Sequence, residues 1–289
     1  MNMEVIQMGY IAQSKAFRFR WINGQCFEFQ FNNGKTLLTD PWYQSEEPGI
    51  LSEVCIPNFS TADLEGADYV FLNHTHGDHI CNLQEVVDRF HSTVITHSAT
   101  AMHLAKTHSI PLTSIYPIDY EGTYYFDGFI LEAHHGTHHG SPQTLAERKI
   151  KGNPVMDELN AFGGTFNTNF ILTTDQGMRV AFIGGNDDGM IQRLQGKNKP
   201  NVIIRNKMAS SRVKEGVAEN FAEWFAGADT QLLIPMHYET WLTKDPEFAQ
   251  NMLTDMNRIM EEKGKLGRVA PMERGRWYTL NIGIRELED

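Results

Sequence analysis

Apolar and polar positions alternate from Phe17 onward with the period of a half-buried strand. Phe17, Phe19 and Trp21 alternate with Arg18 and Arg20, Asn23-Gly24 supplies a turn, and Phe27, Phe29 and Phe31 resume the alternation. A second turn at Asn33-Gly34 leads into TLLTD (36–40), a strand that stops at Pro41. ADYVFLN (67–73) reads as a strand buried on both faces and runs straight into HTHGDH. Ile80, Leu83, Val86, Val87 and Phe90 then fall at helical spacing, which predicts a helix directly after that loop. Further strands are predicted near 94–96, 113–118, 123–126, 128–133, 170–174, 178–184, 201–205, 231–235 and 276–284, with a helix near 99–107. Val213, Val217, Phe221, Trp224 and Phe225 mark a second helix, and Phe248, Met252, Met256 and Ile259 a third. Residues 138–165 break the pattern. They are rich in turn formers and mixed charge, and regular strands resume at once, so an insertion lying over a site is expected there.

Strands interleaved with helices in two similar halves predict a layered α/β protein with two packed sheets, forming one domain over 1–289. No repeat is visible at the level of residue identity. With 41% hydrophobic and 21% charged residues, the chain has the composition of an ordinary soluble globular protein. No stretch approaches the ~20 apolar residues of a membrane span, so no membrane association is expected. The opening MNMEVIQMGYIAQSKAFRFR lacks the basic-then-apolar order of a signal peptide, which makes the cytoplasm the expected location. A net charge of −11 demotes nucleic acid as a partner, because affinity for a phosphate backbone comes from Lys and Arg. The three cysteines, Cys26, Cys55 and Cys81, form no CxxC pair and read as reduced, mostly buried thiols. Twelve histidines are the one compositional anomaly, and their clustering is what carries information.

His74-Thr75-His76-Gly77-Asp78-His79 places three imidazoles and a carboxylate within six residues. At a junction of strand and helix, His74 and His76 can point one way and Asp78 with His79 another, which suits two adjacent metal ions. Neutral imidazole and carboxylate are ligands for zinc, manganese or iron. No Ser-His-Asp pattern, G-x-S-x-G elbow or phosphate-binding glycine loop competes, so a metal-activated water is the one nucleophile the chain advertises. His134, His138 and His139 sit near the expected mouth of the site, and His138 is a candidate substrate contact. Arg205 and Lys207, after the strand NVIIR, are candidates to face an anionic substrate. Cys81 is expected to turn towards the core, with no metal role.

HxHxDH after a hydrophobic strand resembles the signature of the metallo-β-lactamase superfamily. RWINGQCFEFQFNNGKTLLTDPW is similar to that family's opening hairpin and its DP turn, and LLIPMHYETW resembles the PMHY-T motif of the branch containing L-ascorbate-6-phosphate lactonase. The landmarks run from Phe17 to Trp241. The resemblance implies a four-layer αββα sandwich. It also implies two divalent ions, zinc first with manganese or iron as alternatives. By the same resemblance, His74, His76 and His135 hold one ion, while Asp78, His79 and His237 hold the other. The family has Gly-Asp-Thr at the bridging carboxylate, whereas this chain reads GGNDDG (184–189), which leaves Asp187 as the expected bridge and Asn186 as the alternative. Asp40 corresponds to the DP aspartate that orients ligands, and Asp78 or the bridging carboxylate is expected to pass a proton to the leaving group. The implied activity is hydrolysis by a metal-bound hydroxide of a small anionic metabolite, a lactone or a phosphate ester. The alternatives are a phosphodiesterase acting on a cyclic nucleotide or nucleic-acid end, and a non-catalytic metal-binding sensor. Family habit also favours a homo-oligomer.

Overall fold

The computed structural model describes residues 16–44, 53–138, 165–185, 189–196, 199–206, 214–228 and 230–280. The opening alternation becomes β1 (Arg18–Asn23), β2 (Cys26–Gln30) and β3 (Thr36–Thr39), joined by tight turns and paired antiparallel. From β3 the sheet continues in parallel through β4 (Tyr69–Phe71), β5 (Thr93–His97) and β6 (Ile115–Ile118). The short β14 (Trp277–Thr279) returns to pair with the outer edge of β1.

The second sheet repeats this plan. β7 (Thr123–Phe126), β8 (Phe129–Gly136), β9 (Asn167–Thr174) and β10 (Arg179–Ile183) pair antiparallel in turn. β11 (Val202–Asn206), β12 (Leu232–Met236) and β13 (Arg268–Val269) then add in parallel. The orders β14-β1-β2-β3-β4-β5-β6 and β7-β8-β9-β10-β11-β12-β13 carry the same succession of antiparallel and parallel pairs. The two similar halves expected from the chain are therefore a duplicated topology, although no residue pattern repeats.

Strand periodicity explains the layering. Phe27 and Phe29 point from β2 to the interface between sheets, while Cys26 points to the opposite face. On β4, Phe71 faces inward, and Val70 and the following Leu72 face outward. The interface is an aromatic layer, with Phe31 stacked on Phe129 at 4.7 Å and Phe170 on Phe182 at 4.9 Å between ring centroids. Outside the first sheet lie α2 (Leu83–Phe90) and α3 (Ser98–Thr107), which bury Leu83, Val86, Val87, Ala101 and Leu104 against Val70, Leu72 and Val94. Outside the second lie α5 (Val217–Ala228) and α7 (Pro246–Glu262), which bury Phe221, Phe225, Met252 and Met256. Helix, sheet, sheet and helix make the αββα sandwich that the resemblance implied.

Three local features depart from the reading of the chain. The helix after the histidine motif comes in two pieces, α1 (Gly77–Ile80) and α2, with a non-helical Asp78 inside the first (ψ 15°). The break leaves Cys81 exposed rather than turned into the core, its thiol 3.3 Å from the Gln44 carbonyl oxygen. A short α6 (Glu239–Lys244) follows β12, and α4 (Met190–Arg193) follows β10. No disulfide joins Cys26, Cys55 and Cys81, of which only Cys26 is fully buried. No described helix is long and apolar enough to cross a membrane.

Candidate metal centre

The parallel strands of both sheets end on the same side, and the chemistry lies just beyond those ends, where sheet topology leaves room for a ligand. β3 runs into Asp40, β4 into Asn73 and His74, β10 into Gly184 and Gly185, and β12 into His237. Asp40 and His237 hold positive φ, at 38° and 58°. Side chains other than glycine seldom occupy this left-handed region, and such strain gathers at functional sites.

Two groups of donors form there. His74, His76 and His138 offer one ring nitrogen each, and Asp78, His79 and His237 form the second group; within each group the donor atoms lie within 4.8 Å of one another. His74 Nε2 is 3.1 Å from His76 Nδ1. His237 Nε2 stands 3.5 Å from Asp78 Oδ2, and His79 Nε2 is 3.8 Å from Asp78 Oδ1. Two donors at about 2.0–2.2 Å from a tetrahedral zinc are about 3.3–3.6 Å apart; the His237–Asp78 separation falls in that range, and the other two lie a few tenths of an ångström either side of it. The groups adjoin, with the His74 and His79 rings 3.7 Å apart between centroids. The donor set therefore fits two divalent cations.

Three of the candidate ligands, His74, His79 and His237, have a polar side chain at their other ring nitrogen. His74 Nδ1 meets Asn73 Oδ1 at 2.9 Å, and Asn167 Nδ2 donates to that same oxygen at 2.9 Å. Asn73 Nδ2 in turn donates to the Thr168 carbonyl, which fixes the amide. His79 Nδ1 is 3.3 Å from Asp40 Oδ2, while Asp40 Oδ1 accepts from the Asn73 backbone N–H at 2.7 Å. His237 Nδ1 pairs with Glu239 Oε1 at 2.9 Å. Histidines held in this way present Nε2 as a lone pair towards the cluster.

The electrostatics follow the same division. Burial and the neighbouring imidazoles of His79, His76, His138 and His237 hold His74 well below its ordinary value, so it stays neutral and able to ligate. For Asp78, burial pushes the pKa up, but His79, His237 and His76 outweigh it and hold the carboxyl well below the usual range. A group so held is suited to serve as an anionic ligand. Burial pushes Asp40 up despite His79 and the Asn73 N–H.

The structure brings together His74, His76, Asp78, His79 and His237 from the expected set, with Asp40 behind them. His135 is not among them. It lies on β8 opposite Thr168, exposed, with its ring edge-on to Tyr120 at 4.8 Å. Three residues later the chain has left the strand, and His138 sits 4.8 Å from His74 and 4.6 Å from His76 between ring centroids. His138, rather than His135, thus completes the donor group with His74 and His76. Arg205 does not face the site either. Its neighbour Asn206 donates to the Gly184 carbonyl at the site edge, so strand alternation sends Arg205 to the opposite face, where it is fully buried with its guanidinium 3.8 Å from the Trp224 ring. Asn186, Asp187 and Lys207 lie outside the described residues, as does 139–164, nearly all of the expected insertion.

Sequence reasoning missed Glu239, Asn73, Asn167 and the amides that shape the turn after β10. Gln25 Nε2 donates to Gly184 O at 2.8 Å, and Gly184 N donates to Asn169 Oδ1 at 3.0 Å. A Cβ on Gly184 would stand 2.3 Å from Gln25 Oε1, and one on Gly185 2.1 Å from the Thr137 carbonyl oxygen. At Gly185 the obstruction is backbone, so only glycine fits there. The signals available were faint: Asn73 adjoins the motif, and Glu239 follows His237 by two residues.

Residues 18–205 match a family model for the β-lactamase superfamily domain. The UPF0173 metal-dependent hydrolase of Caldivirga maquilingensis is 23% identical over 137 residues, covering 47% of this chain and 52% of that protein. The matches span about half or less of the curated relatives' own length. Among solved structures, Igni18, a metallo hydrolase from the archaeon Ignicoccus hospitalis, superposes with a TM-score of 0.61 at 17% identity over 93% of this chain and 100% of that one. The isothiocyanate hydrolase from Delia radicum gut bacteria superposes with a TM-score of 0.64 at 17% identity, over 91% of this chain and 98% of that one. At this identity the structural likeness establishes the fold.

Proposed function

The chain belongs to the β-lactamase superfamily, and from that premise we propose that it is a metal-dependent hydrolase of a carbonyl or phosphoryl ester. The substrate class we assign is a small lactone or phosphate ester, in keeping with the lactonase-like PMHY-T segment at 235–240. One observation carries the reading: two adjoining three-donor groups, each with donors within 4.8 Å, at the carboxyl ends of parallel strands. Zinc suits the donors best, and manganese and iron are accepted by the same atoms.

Two divalent ions held there would supply Lewis acidity and a water-derived nucleophile at neutral pH. The residues supply the rest. Asn73 holds the His74 ring, Asp40 stands beside that of His79 and Glu239 holds that of His237, so these three imidazoles are placed before substrate arrives. Asp78, kept ionised by its imidazole neighbours, contributes the negative charge among the described ligands. With Arg205 buried beneath α5, recognition of an anionic substrate falls to the cations and not to that guanidinium.

The test is an assay of the metal-supplemented protein on a δ-lactone, a phosphomonoester and bis(p-nitrophenyl) phosphate. Turnover of at least one ester by wild type, abolished in His76→Ala, supports the proposal. Equal inertness of both proteins with zinc, manganese and iron contradicts it and favours a non-catalytic metal-binding module.

A further inference from the structure

His237 reaches the centre from a different sheet than the donors it joins. Asp78 and His79 follow β4 of the first sheet, whereas His237 follows β12 of the second, so this donor group forms across the gap between the sheets. The φ of His237, 58°, lies in the left-handed region, which a side chain keeps only where its surroundings enforce it. Part of that enforcement comes from the first sheet, at the Asn23-Gly24 turn between β1 and β2.

The Gly24 carbonyl accepts two hydrogen bonds there, one from the His237 backbone N–H at 3.1 Å and one from the Trp21 indole Nε1–H at 3.0 Å. Two donors occupy both lone pairs of that oxygen, so the indole fixes the direction from which His237 is gripped. The same indole stacks on Tyr238, the residue after His237, at 5.0 Å between ring centroids and 19° between planes. Trp21 therefore braces His237 twice, through the acceptor of its N–H and through the ring of its successor. Trp42 packs on the imidazole itself, edge-on at 6.2 Å. A Cβ on Gly24 would lie 2.7 Å from Trp42 Cε3, so the glycine of the turn is what leaves room for that ring. Trp21 is wholly buried, and its part in the centre is indirect.

We propose that Trp21 is a positioning residue for His237. Its indole N–H and its ring face lock the backbone of the one ligand that the second sheet contributes to the Asp78–His79–His237 group. The affinity of that group for a divalent cation thus depends on a side chain that never touches the ion. The inference rests on the two-ion reading of the centre, and it concerns how a ligand is placed, not which ester is cleaved.

The experiment titrates zinc into the metal-free full chain against a chromophoric chelator, with cobalt as a spectroscopic probe of coordination. His237→Ala identifies the constant that belongs to its group by weakening or removing it. Trp21→Phe keeps a ring against Tyr238 but loses the indole N–H. It should weaken that same constant about three- to tenfold, the effect of one hydrogen bond, shift the visible cobalt spectrum and leave the other constant unmoved. Tyr238→Leu, which removes the stacked ring, should weaken the same constant and decides the question where Trp21→Phe folds poorly. Phe29→Leu is the control for packing alone. Its ring neighbours are Phe17, Phe19 and Phe27 in the same aromatic layer, so it should lower the denaturant midpoint and leave both constants unmoved. The proposal is overturned if folded Trp21→Phe and Tyr238→Leu bind zinc as wild type does, or if Phe29→Leu weakens binding as much as they do. It is overturned equally if His237→Ala moves neither constant. Absence of any bound ion in wild type would sink the two-ion reading itself, whereas the expected selective loss in a protein that hydrolyses no ester would sink only the assigned activity.

Discussion

Asp40 shows how one residue serves both backbone and chemistry. It ends β3 at positive φ before Pro41, accepts the Asn73 N–H through one oxygen and faces His79 with the other. Removing its charge should loosen His79 without emptying the strand end. Asp40→Asn is expected to weaken zinc affinity about 10- to 100-fold, measured by chelator competition. Arg205 makes the opposite case. It reads as a cation near the site, yet it lies under Trp224. Arg205→Met should therefore lower stability by about 2 kcal/mol, from a lost desolvated cation–π contact, and leave KM unchanged. Denaturant unfolding and steady-state kinetics on the same preparation check both parts. Which residues gather as donors was legible where they are consecutive, as in HTHGDH, because strand and loop geometry converge them locally. It was not legible in HHGTHH, where the choice between His135 and His138 depends on where β8 ends and how its last residues face.

At the scale of elements, most strands and helices could be read from period alone, because each buries one face or both in a four-layer stack. The aromatic run of β1 and β2 fills the space between sheets, and the apolar run before the histidine motif is the central β4. The break between α1 and α2 was not readable, since the apolar spacing continues across it from Ile80 to Phe90. Nor was the turn after β10, whose shape comes from amides distant in the chain. Gln25 and Asn206 meet the Gly184 carbonyl, and Asn169 meets its N–H. Adding a methyl there forces the turn against the Thr137 carbonyl, on the path that carries His138 to the site. Gly185→Ala should lower stability by about 1–3 kcal/mol and weaken metal binding, as read by denaturant unfolding and zinc titration.

For the whole molecule, the buried histidines set the response to acid. Burial, with neighbouring imidazoles, lowers His74 well below its ordinary 6.5, and burial likewise lowers His97, His108 and His134. As pH falls below 6.5, the unfolded chain takes up protons that the folded one refuses, so stability is lost in that direction. Asp40 and Glu28, raised by burial, oppose the trend as pH approaches the carboxylate range. The denaturant midpoint of the metal-free protein should accordingly fall between pH 7.5 and pH 5.5. The duplicated sheets bring two clusters to one edge, and that convergence is the centre of the account. Its most direct test is anomalous diffraction at the zinc edge from crystals grown with zinc. The account predicts two peaks, one among His74, His76 and His138 and the other among Asp78, His79 and His237. Zinc bound by other residues, or no peak at either cluster, would contradict it.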